Sequence, residues 1–447
     1  MPSFFIQNFG CRVNQAEAFT WAQAFQLDGF RLEPDWRRSD LIVVNSCTLT
    51  SRADRDVRNF LRKIGRENPQ AKLVVTGCYA ERAREELKHL TGALAVLPNS
   101  EKAGLPRRAV ALLGEAGAVG NVASAREPAA FRARALLKIQ NGCDHRCTFC
   151  IIPSVRGRSV SVEANDVVAS VRDLVNRGYR EIVLAGIHLS SYGLDLTPSG
   201  SLAALLRRIE TVEGLGQLRL SSLDPRRTDD EFLAHVAGNP RICQHFHFSL
   251  QHASPRILDG MGRAIGPDRY GSILDDLRSR SPDASLGADV IVGFPEETNE
   301  DFAALEAFLK RSPLNYFHVF SYSPRRGTPA ALRPQIPDIV KTTRSSALRR
   351  LSAEKSLRFR EAFAGRELAG IVIRSCDSER DGDDEDRELG EVPVRRSGRG
   401  ERRPEVLTEN YLRVFVPSCP AAERERVHVR ITKVLPRSTE GVIISGV

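Results

Sequence analysis

At 447 residues, with 41% of them hydrophobic, the chain is long enough for about three domains that each bury a core. Its 65 Lys and Arg outweigh 56 Asp and Glu to give a net charge of +9, which suits an acidic partner such as RNA. There is no apolar run of about 18 residues to suggest a membrane span, no signal-peptide pattern in MPSFFIQNFGC, and an odd cysteine count of nine for a disulfide framework, so the sequence reads as cytoplasmic with no membrane partner.

Residues 1–114 alternate the apolar runs FFIQNF, LIVVNSC, KLVVTGC and ALAVLPN with helical segments over 16–27, 52–66 and 81–89. Near-continuous apolar strands separated by helices predict a parallel sheet covered on both faces, a small doubly wound α/β domain. Cys11, Cys47 and Cys78 each end one of these strands, in FGC, NSC and TGC. Open α/β sheets bind ligands at the carboxyl ends of their strands, so the three thiols can meet there although they are far apart in sequence. A shared metal site and three small buried hydrophobes both fit that placement. Residues 115–134, rich in Gly and Ala, read as a linker.

From 135 to 324 the alternation resumes with ALLKIQ, REIVLAGI, QLRLSSL, HFHFSLQ, GADVIVGF and NYFHVFSYS as strands. Helical stretches lie between them over 162–177, 201–212, 229–236, 268–280 and 300–310. Successive βα units of this kind predict a partly closed parallel sheet, a partial (β/α)6 barrel. Directly after its first strand comes GCDHRCTFC, which places Cys143, Cys147 and Cys150 in a Cys-x3-Cys-x2-Cys spacing. Three thiolates from one loop can each bind one iron of a cubic 4Fe-4S cluster and leave the remaining iron open to substrate or cofactor. Zinc would call for a second Cys-x2-Cys or nearby histidines, and an inert set of buried thiols is the other alternative.

The ends of the later strands carry Gly186 and His188, Gln251 and His252, and the GFPEE turn with Gly293. Gly186 and Gly293 would let backbone approach a ligand, or serve only as turn residues. His188, His245, His247 and His252 read first as rim groups without a chemical role.

Residues 325–363 leave the barrel through a Pro-rich stretch into a helix over 341–360 with seven Lys or Arg against one Glu, either a solvated face or a contact for RNA phosphates. In 364–447 the pieces LAGIVI, YLRVFV, VHVRITKV and GVIIS predict a small β-barrel. It is interrupted by a flexible charged insertion, with eight acids in 377–388 and five arginines in 395–403.

A 4Fe-4S cube with an open iron can bind S-adenosylmethionine and cleave it to a 5′-deoxyadenosyl radical, which removes hydrogen from unactivated carbon. A second cluster on the N-terminal cysteines would face the first and could carry sulfur.

The stretch GCDHRCTFCIIPSVRGRSVS resembles the cluster loop of the radical S-adenosylmethionine methylthiotransferases, including the IIP and RGR that follow it. GCRVNQAE, NSCTLTSRADRDVR, TGCYAE, EIVLAGIHLSSYGLDL, ADVIVGFPEETNEDF and HVFSYSPRRGTPAA are similar to further motifs of that family, so the resemblance covers nearly the whole chain. The closing β-module looks like a TRAM domain, an RNA-binding barrel. The resemblance implies two 4Fe-4S clusters, an auxiliary one on Cys11, Cys47 and Cys78 and a catalytic one on Cys143, Cys147 and Cys150. It also implies S-adenosylmethionine contacts from Phe149, Gly186, Gln251, Asp289 and Gly293, a tRNA substrate, and a flavodoxin- or ferredoxin-like electron donor.

VNQ after Cys11 and GIH at 186–188 look most like the MtaB-type branch, which converts N6-threonylcarbamoyladenosine at tRNA position 37 to its 2-methylthio derivative. Isopentenyladenosine enzymes tend to show MN at the first place and ribosomal-protein enzymes PKN. Those two substrates are the alternatives, and a cluster-bearing RNA-binding regulator without turnover is a third. The chain departs from the family in SLQHA where PLQSG is usual, in Glu296 for Gly within GFPEET, and in the charged insertion.

Overall fold

The computed structural model describes residues 1–113, 132–374, 403–419 and 421–446, so the charged stretch over 377–402 and most of the linker lie outside the described residues. The N-terminal apolar runs form β1 (Ser3–Asn8), the short β2 (Arg31–Leu32), β3 (Leu41–Ser46), β4 (Lys72–Gly77) and β5 (Ala95–Val96). They pair in the order β2-β1-β3-β4-β5, all parallel. Side chains alternate between two cores: Leu41, Val43 and Val74 enter one, and Ile42, Val44, Leu73 and Val75 the other. That split is what a sheet covered on both faces requires.

The connecting helices are α1 (Arg12–Leu27), α2 (Ser51–Glu67), α3 (Cys78–Arg82), α4 (Arg84–Thr91) and α5 (Leu105–Leu113), the last without a sequence-based expectation. Two of them begin earlier than periodicity suggests, and the difference matters. Cys11 becomes the N-cap of α1, and Cys78 the first residue of α3.

The central region consists of β6 (Ala135–Asn141), the two-residue antiparallel β7 (Val160–Ser161), β8 (Glu181–Gly186), β9 (Gln217–Leu220), β10 (His245–Gln251), β11 (Ser285–Val292) and β12 (Tyr316–Ser321). Parallel pairing runs β6-β8-β9 and β10-β11-β12, and single bridges Leu218–Ile242 and Leu223–Phe248 join the two groups into one curved wall of six parallel strands. Between the strands lie α6 (Ile152–Arg156), α7 (Ala164–Asn176), α8 (Leu202–Glu210), α9 (Asp230–Val236), α10 (Pro255–Gly260), α11 (Pro267–Arg280) and α12 (Asn299–Arg311). This is the expected partial barrel.

One face of the wall, with Ile182, Leu184, Phe246, Phe248, Leu286, Val290 and Val319, packs into a common core with Val171, Leu205 and Leu277 of the helices. The concave face alternates with it and carries Lys138, Gln140, Glu181, Arg219, His245, His247, Asp289, Tyr316 and His318. A closed eight-stranded barrel fills its interior with branched apolar side chains. This interior is polar instead.

After the barrel, α13 (Asp338–Glu361) lies along β12, with Ser352 Oγ bonded to both the N–H and the C=O of Phe317. Most of its positive charges are spent on the protein itself. Arg344 bonds Glu297, Arg349 the carbonyl of Val319, Lys355 those of Lys310 and Ser312, and Arg360 those of Leu435 and Ser438, while Lys341 is buried. These contacts anchor α13 to the central and C-terminal units, while Arg349, Arg350 and Arg358 stay exposed. The chain ends in a closed barrel of β13 (Glu367–Arg374), β14 (Glu405–Thr408), β15 (Arg413–Phe415), β16 (Arg426–Leu435) and β17 (Ser438–Gly446), in the order β13-β14-β15-β17-β16. Val372, Val406, Val414, Val429 and Ile431 fill it. Among the described residues, no helix is long and apolar enough to cross a membrane.

Candidate active site with two cysteine triads

β1, β3 and β4 are neighbours in one parallel sheet, with Asn8 beside Asn45 and Ser46 beside Gly77, so the residues that follow them emerge side by side. Strands in such a ladder lie about 4.8 Å apart, and Cys11, Cys47 and Cys78 therefore leave the sheet within one small area. Two glycines make the approach feasible. A Cβ on Gly10, at φ +103°, would fall 2.8 Å from the Cys47 sulfur, and one on Gly77, at φ +101°, 2.3 Å from the Ser46 carbonyl. Cys47 and Cys78 are buried and Cys11 half-buried. Burial pushes the Cys47 thiol up to about 12 and raises that of Cys11, which also feels Cys78 beside it.

The second triad sits on the loop after β6. Gly142 opens that loop at φ +70°, where a Cβ would fall 1.8 Å from the Arg158 carbonyl, so no side chain fits. The Cys143 N–H donates to the Gly157 carbonyl at 3.1 Å, and the Thr148 N–H and hydroxyl donate to the carbonyls of Met261 and Gly260. Cys150 receives the Ile152 N–H at 3.4 Å. Burial raises the Cys143 and Cys150 thiols, the latter to about 12.

Arg156, in the RGR that follows the loop, ties that segment to the N-terminal triad. Its side chain is fully buried, and its Nε lies 3.2 Å from the Cys78 sulfur. The remaining nitrogens donate to Glu17 Oε1 at 3.0 Å, to Asn141 Oδ1 at 2.9 Å and to Asn14 Oδ1. Asn14 in turn donates to the carbonyls of Phe9 and Ser46, the strand ends next to the cysteines. Burial opposes ionisation of Glu17, but Lys102 at 2.6 Å, Arg156 and Lys138 hold its carboxyl well below the usual carboxylate range. Asn14 and Glu17 of VNQAE thus do structural work beneath the auxiliary triad. From the other side, Arg325 reaches Asp54 Oδ2 at 2.7 Å and the carbonyl of Thr48, the residue after Cys47. Between the triads, Cys78 packs in one apolar cluster with Ile151, Ile152 and Val155, and Cys143 and Cys150 pack against it.

Around the loop the barrel rim adds charge. Asp224 Oδ2 meets His188 Nε2 at 3.1 Å, Arg226 at 2.6 Å and Arg263 at 3.1 Å. Burial would raise its pKa, yet those partners hold it well below normal. The His145 ring lies 4.6 Å from that of His188. Burial and the nearby Arg226 bring His145 down to about 4, so it is neutral at physiological pH. A cavity of about 870 Å³ opens beside it, lined among others by Tyr192, Pro225, Arg226, Phe232 and Arg269.

Of the five positions expected to contact the cofactor, Phe149 packs among Ile257, Met261, Phe294 and Tyr322 under the loop. Gly186 stands at the end of β8, where a Cβ would touch Gln140 at 3.1 Å. Gln251 ends β10 at φ +70° after a bulge. Asp289 faces the interior, 3.0 Å from His247 Nε2 and 3.3 Å from His318 Nδ1. At Gly293 a Cβ would fall 2.3 Å from Lys341 Cγ, so the missing side chain makes room for α13. His247, read from sequence as a rim group, lines the interior, whereas His252 is wholly buried and accepts the Ser254 N–H on Nδ1. Arg156 and Arg325 lie within the quoted motifs RGR and HVFSYSPRRGTPAA, which did not say what they bind, and Asp224 carried no sequence signal.

The donor sets fit iron–sulfur clusters. Each is three thiols without harder ligands, brought together by strand ends or by one loop, and the buried cations Arg156 and Lys102 can offset the negative charge of thiolate-bound clusters.

Two family descriptions match the chain: Uncharacterized protein family UPF0004 over residues 3–97 and Radical SAM superfamily over 137–309. A threonylcarbamoyladenosine tRNA methylthiotransferase MtaB of Aquifex aeolicus is 36% identical over 82% of this chain and 92% of its own length. The Bacillus subtilis protein of the same name is 34% identical over 79% of this chain and 80% of its own. A tRNA-2-methylthio-N(6)-dimethylallyladenosine synthase of Carboxydothermus hydrogenoformans is 34% identical over 77% and 82%. Among solved structures, the radical S-adenosylmethionine methyltransferase TsrM of Kitasatospora setae, with cobalamin and a [4Fe-4S] cluster bound, superposes with a TM-score of 0.52 at 17% identity over 74% of this chain and 77% of that one.

Proposed function

Because the chain belongs to the radical S-adenosylmethionine family of tRNA methylthiotransferases, we propose that it is the cytoplasmic enzyme that converts N6-threonylcarbamoyladenosine at position 37 of tRNA to its 2-methylthio derivative. Cys143, Cys147 and Cys150 would hold the cluster that binds S-adenosylmethionine, and Cys11, Cys47 and Cys78 the auxiliary one. When bound, these groups supply one-electron cleavage of S-adenosylmethionine and a sulfur source, chemistry that no side chain here offers by itself. The protein's own part is placement. Arg156 holds Cys78 against the segment after the loop, Arg325 holds the backbone beside Cys47, and the apolar cluster of Ile151, Ile152 and Val155 keeps water from the space between the triads. A flavodoxin- or ferredoxin-like protein would deliver the electron.

The observation that carries this reading is the single apolar cluster in which Cys78 of one triad and Cys143 and Cys150 of the other pack around Ile151, Ile152 and Val155. A regulator without turnover has no need of two thiol sets locked at fixed separation. The dimethylallyl reading is supported by a relative of nearly equal identity, so the substituent on N6 is the point to test. Mass spectrometry of nucleosides from bulk tRNA of a deletion strain is expected to show loss of the 2-methylthio-N6-threonylcarbamoyladenosine peak, with the 2-methylthio-isopentenyl peak unchanged. The reverse pattern would establish the dimethylallyl substrate instead.

A further inference from the structure

The substituents that separate the two substrate classes differ sharply in chemistry. A threonylcarbamoyl group carries a carboxylate, a hydroxyl and urea N–H donors; a dimethylallyl group is hydrocarbon. The concave face of the barrel is polar, and at its floor three regions of the chain meet on one residue. Tyr411, in the turn between β14 and β15, stacks on the His245 ring at 4.1 Å with an interplanar angle of 11°. Its hydroxyl accepts from Arg12 Nη2 at 2.7 Å, and the Arg219 guanidinium lies 5.1 Å from its ring centre.

Arg12 directly follows Cys11, so a residue of the C-terminal barrel touches the neighbour of an auxiliary-triad cysteine inside the central barrel. The turn is firmly seated. Arg219 donates to the carbonyls of Thr408 and Glu409, Asn410 donates to the Asp283 carbonyl, and Leu412 N–H to Thr408 Oγ1. Tyr411 itself is held at φ +69°, a conformation side-chain-bearing residues rarely adopt and one that collects at functional sites. Beside it, Gly287 leaves a slot that the Tyr316 hydroxyl fills, 2.6 Å from His245 Nε2 and 3.1 Å from His247 Nδ1; a Cβ there would fall 2.4 Å from that hydroxyl. Asp289 is about one quarter exposed to the interior and is held ionised by His247 and His318, although burial opposes it.

Building on the threonylcarbamoyl reading, we propose that Arg12 and Tyr411 form a specificity floor that receives the carboxylate of the N6 substituent, with Asp289 accepting from its N–H and hydroxyl donors. The C-terminal barrel then contributes a residue to substrate selection. Such a floor rejects a hydrocarbon substituent because that group displaces water from polar side chains and returns no hydrogen bond. Arg12 and Tyr411 are specificity residues in this account, without a part in hydrogen removal.

The test uses reconstituted holoenzyme and three anticodon stem-loops that carry threonylcarbamoyladenosine, isopentenyladenosine or plain adenosine at position 37. Dissociation constants from fluorescence anisotropy and methylthiolation rates are both read. Wild type is expected to bind the threonylcarbamoyl stem-loop at least about tenfold more tightly than the plain one, as a charge-assisted hydrogen bond provides. In Arg12→Gln and Tyr411→Phe that ratio should fall towards one while binding of the plain stem-loop and iron content stay level, and Arg12→Lys should restore part of it. Equal losses on all three stem-loops, or an unchanged ratio, would overturn the floor. Wild type that methylthiolates only the isopentenyl stem-loop would overturn the substrate reading beneath it, an outcome distinct from either.

Discussion

His252 shows what a single departure from the family pattern does. It stands in SLQHA where PLQSG is usual, it is fully buried, and its Nδ1 accepts the Ser254 N–H at 2.9 Å, which only a neutral imidazole can do. Burial brings it down to about 4 against an ordinary 6.5; Asp301 opposes the shift, and Arg344 and Arg256 add to it. The unfolded chain therefore binds a proton that the folded chain refuses between about pH 6.5 and pH 4. Stability from this residue is complete above pH 6.5 and is lost as pH falls to 4, by about 3 kcal/mol over the whole window. Urea unfolding at pH 5 and pH 7 should show a smaller acid-side loss for His252→Ser than for wild type; parallel pH slopes would show that the ring does not titrate as its burial requires. Sequence placed this residue at a strand end correctly, but whether it faced the interior or the core depended on a bulge after Ser249.

At the scale of elements, the decisive contact is between α6, α1 and α3. α6 is five residues long and too short to hold its place by propensity. It is held by Arg156, whose fully buried guanidinium joins Glu17 and Asn14 of α1 to Cys78 of α3. Removing one member of such a buried pair leaves an uncompensated charge and costs about 3–5 kcal/mol. Arg156→Met is expected to lower denaturant stability by that amount and to lose iron from the N-terminal triad. In Arg156→Met with Glu17→Gln the two losses should be clearly less than additive, because each removes the same interaction. Additive losses would mean that Arg156 acts through some other neighbour. The RGR motif signalled that something follows the loop, but its partner lies about 140 positions away in sequence, and no local pattern encodes that pairing.

At the scale of the whole molecule, the proposed roles give the two triads separate tasks. Reconstituted wild type is expected to carry about eight irons, four per cluster. Replacing Cys11, Cys47 and Cys78 together by Ala should leave about four, with 5′-deoxyadenosine release preserved and methylthiolation abolished. Loss of 5′-deoxyadenosine release in that variant would show that the triads are not separable. The sequence alone determined the main strands and helices of the first two domains, the loop with its three cysteines and the strand-end position of the other three, because apolar alternation, helix length and cysteine spacing are local properties; short elements such as β2, β7, α6 and α10 left no such pattern. It left open what the basic helix packs against, what lies beside Gly293, and whether the interior histidines had neighbours. Only the tertiary structure decided these. It set Arg349 and Lys355 of α13 against carbonyls of the central unit, placed Lys341 beside Gly293, and brought Arg12, His245 and Tyr411 from three regions into one polar floor, since contacts between distant segments are fixed by how the units pack and not by any pattern along the chain.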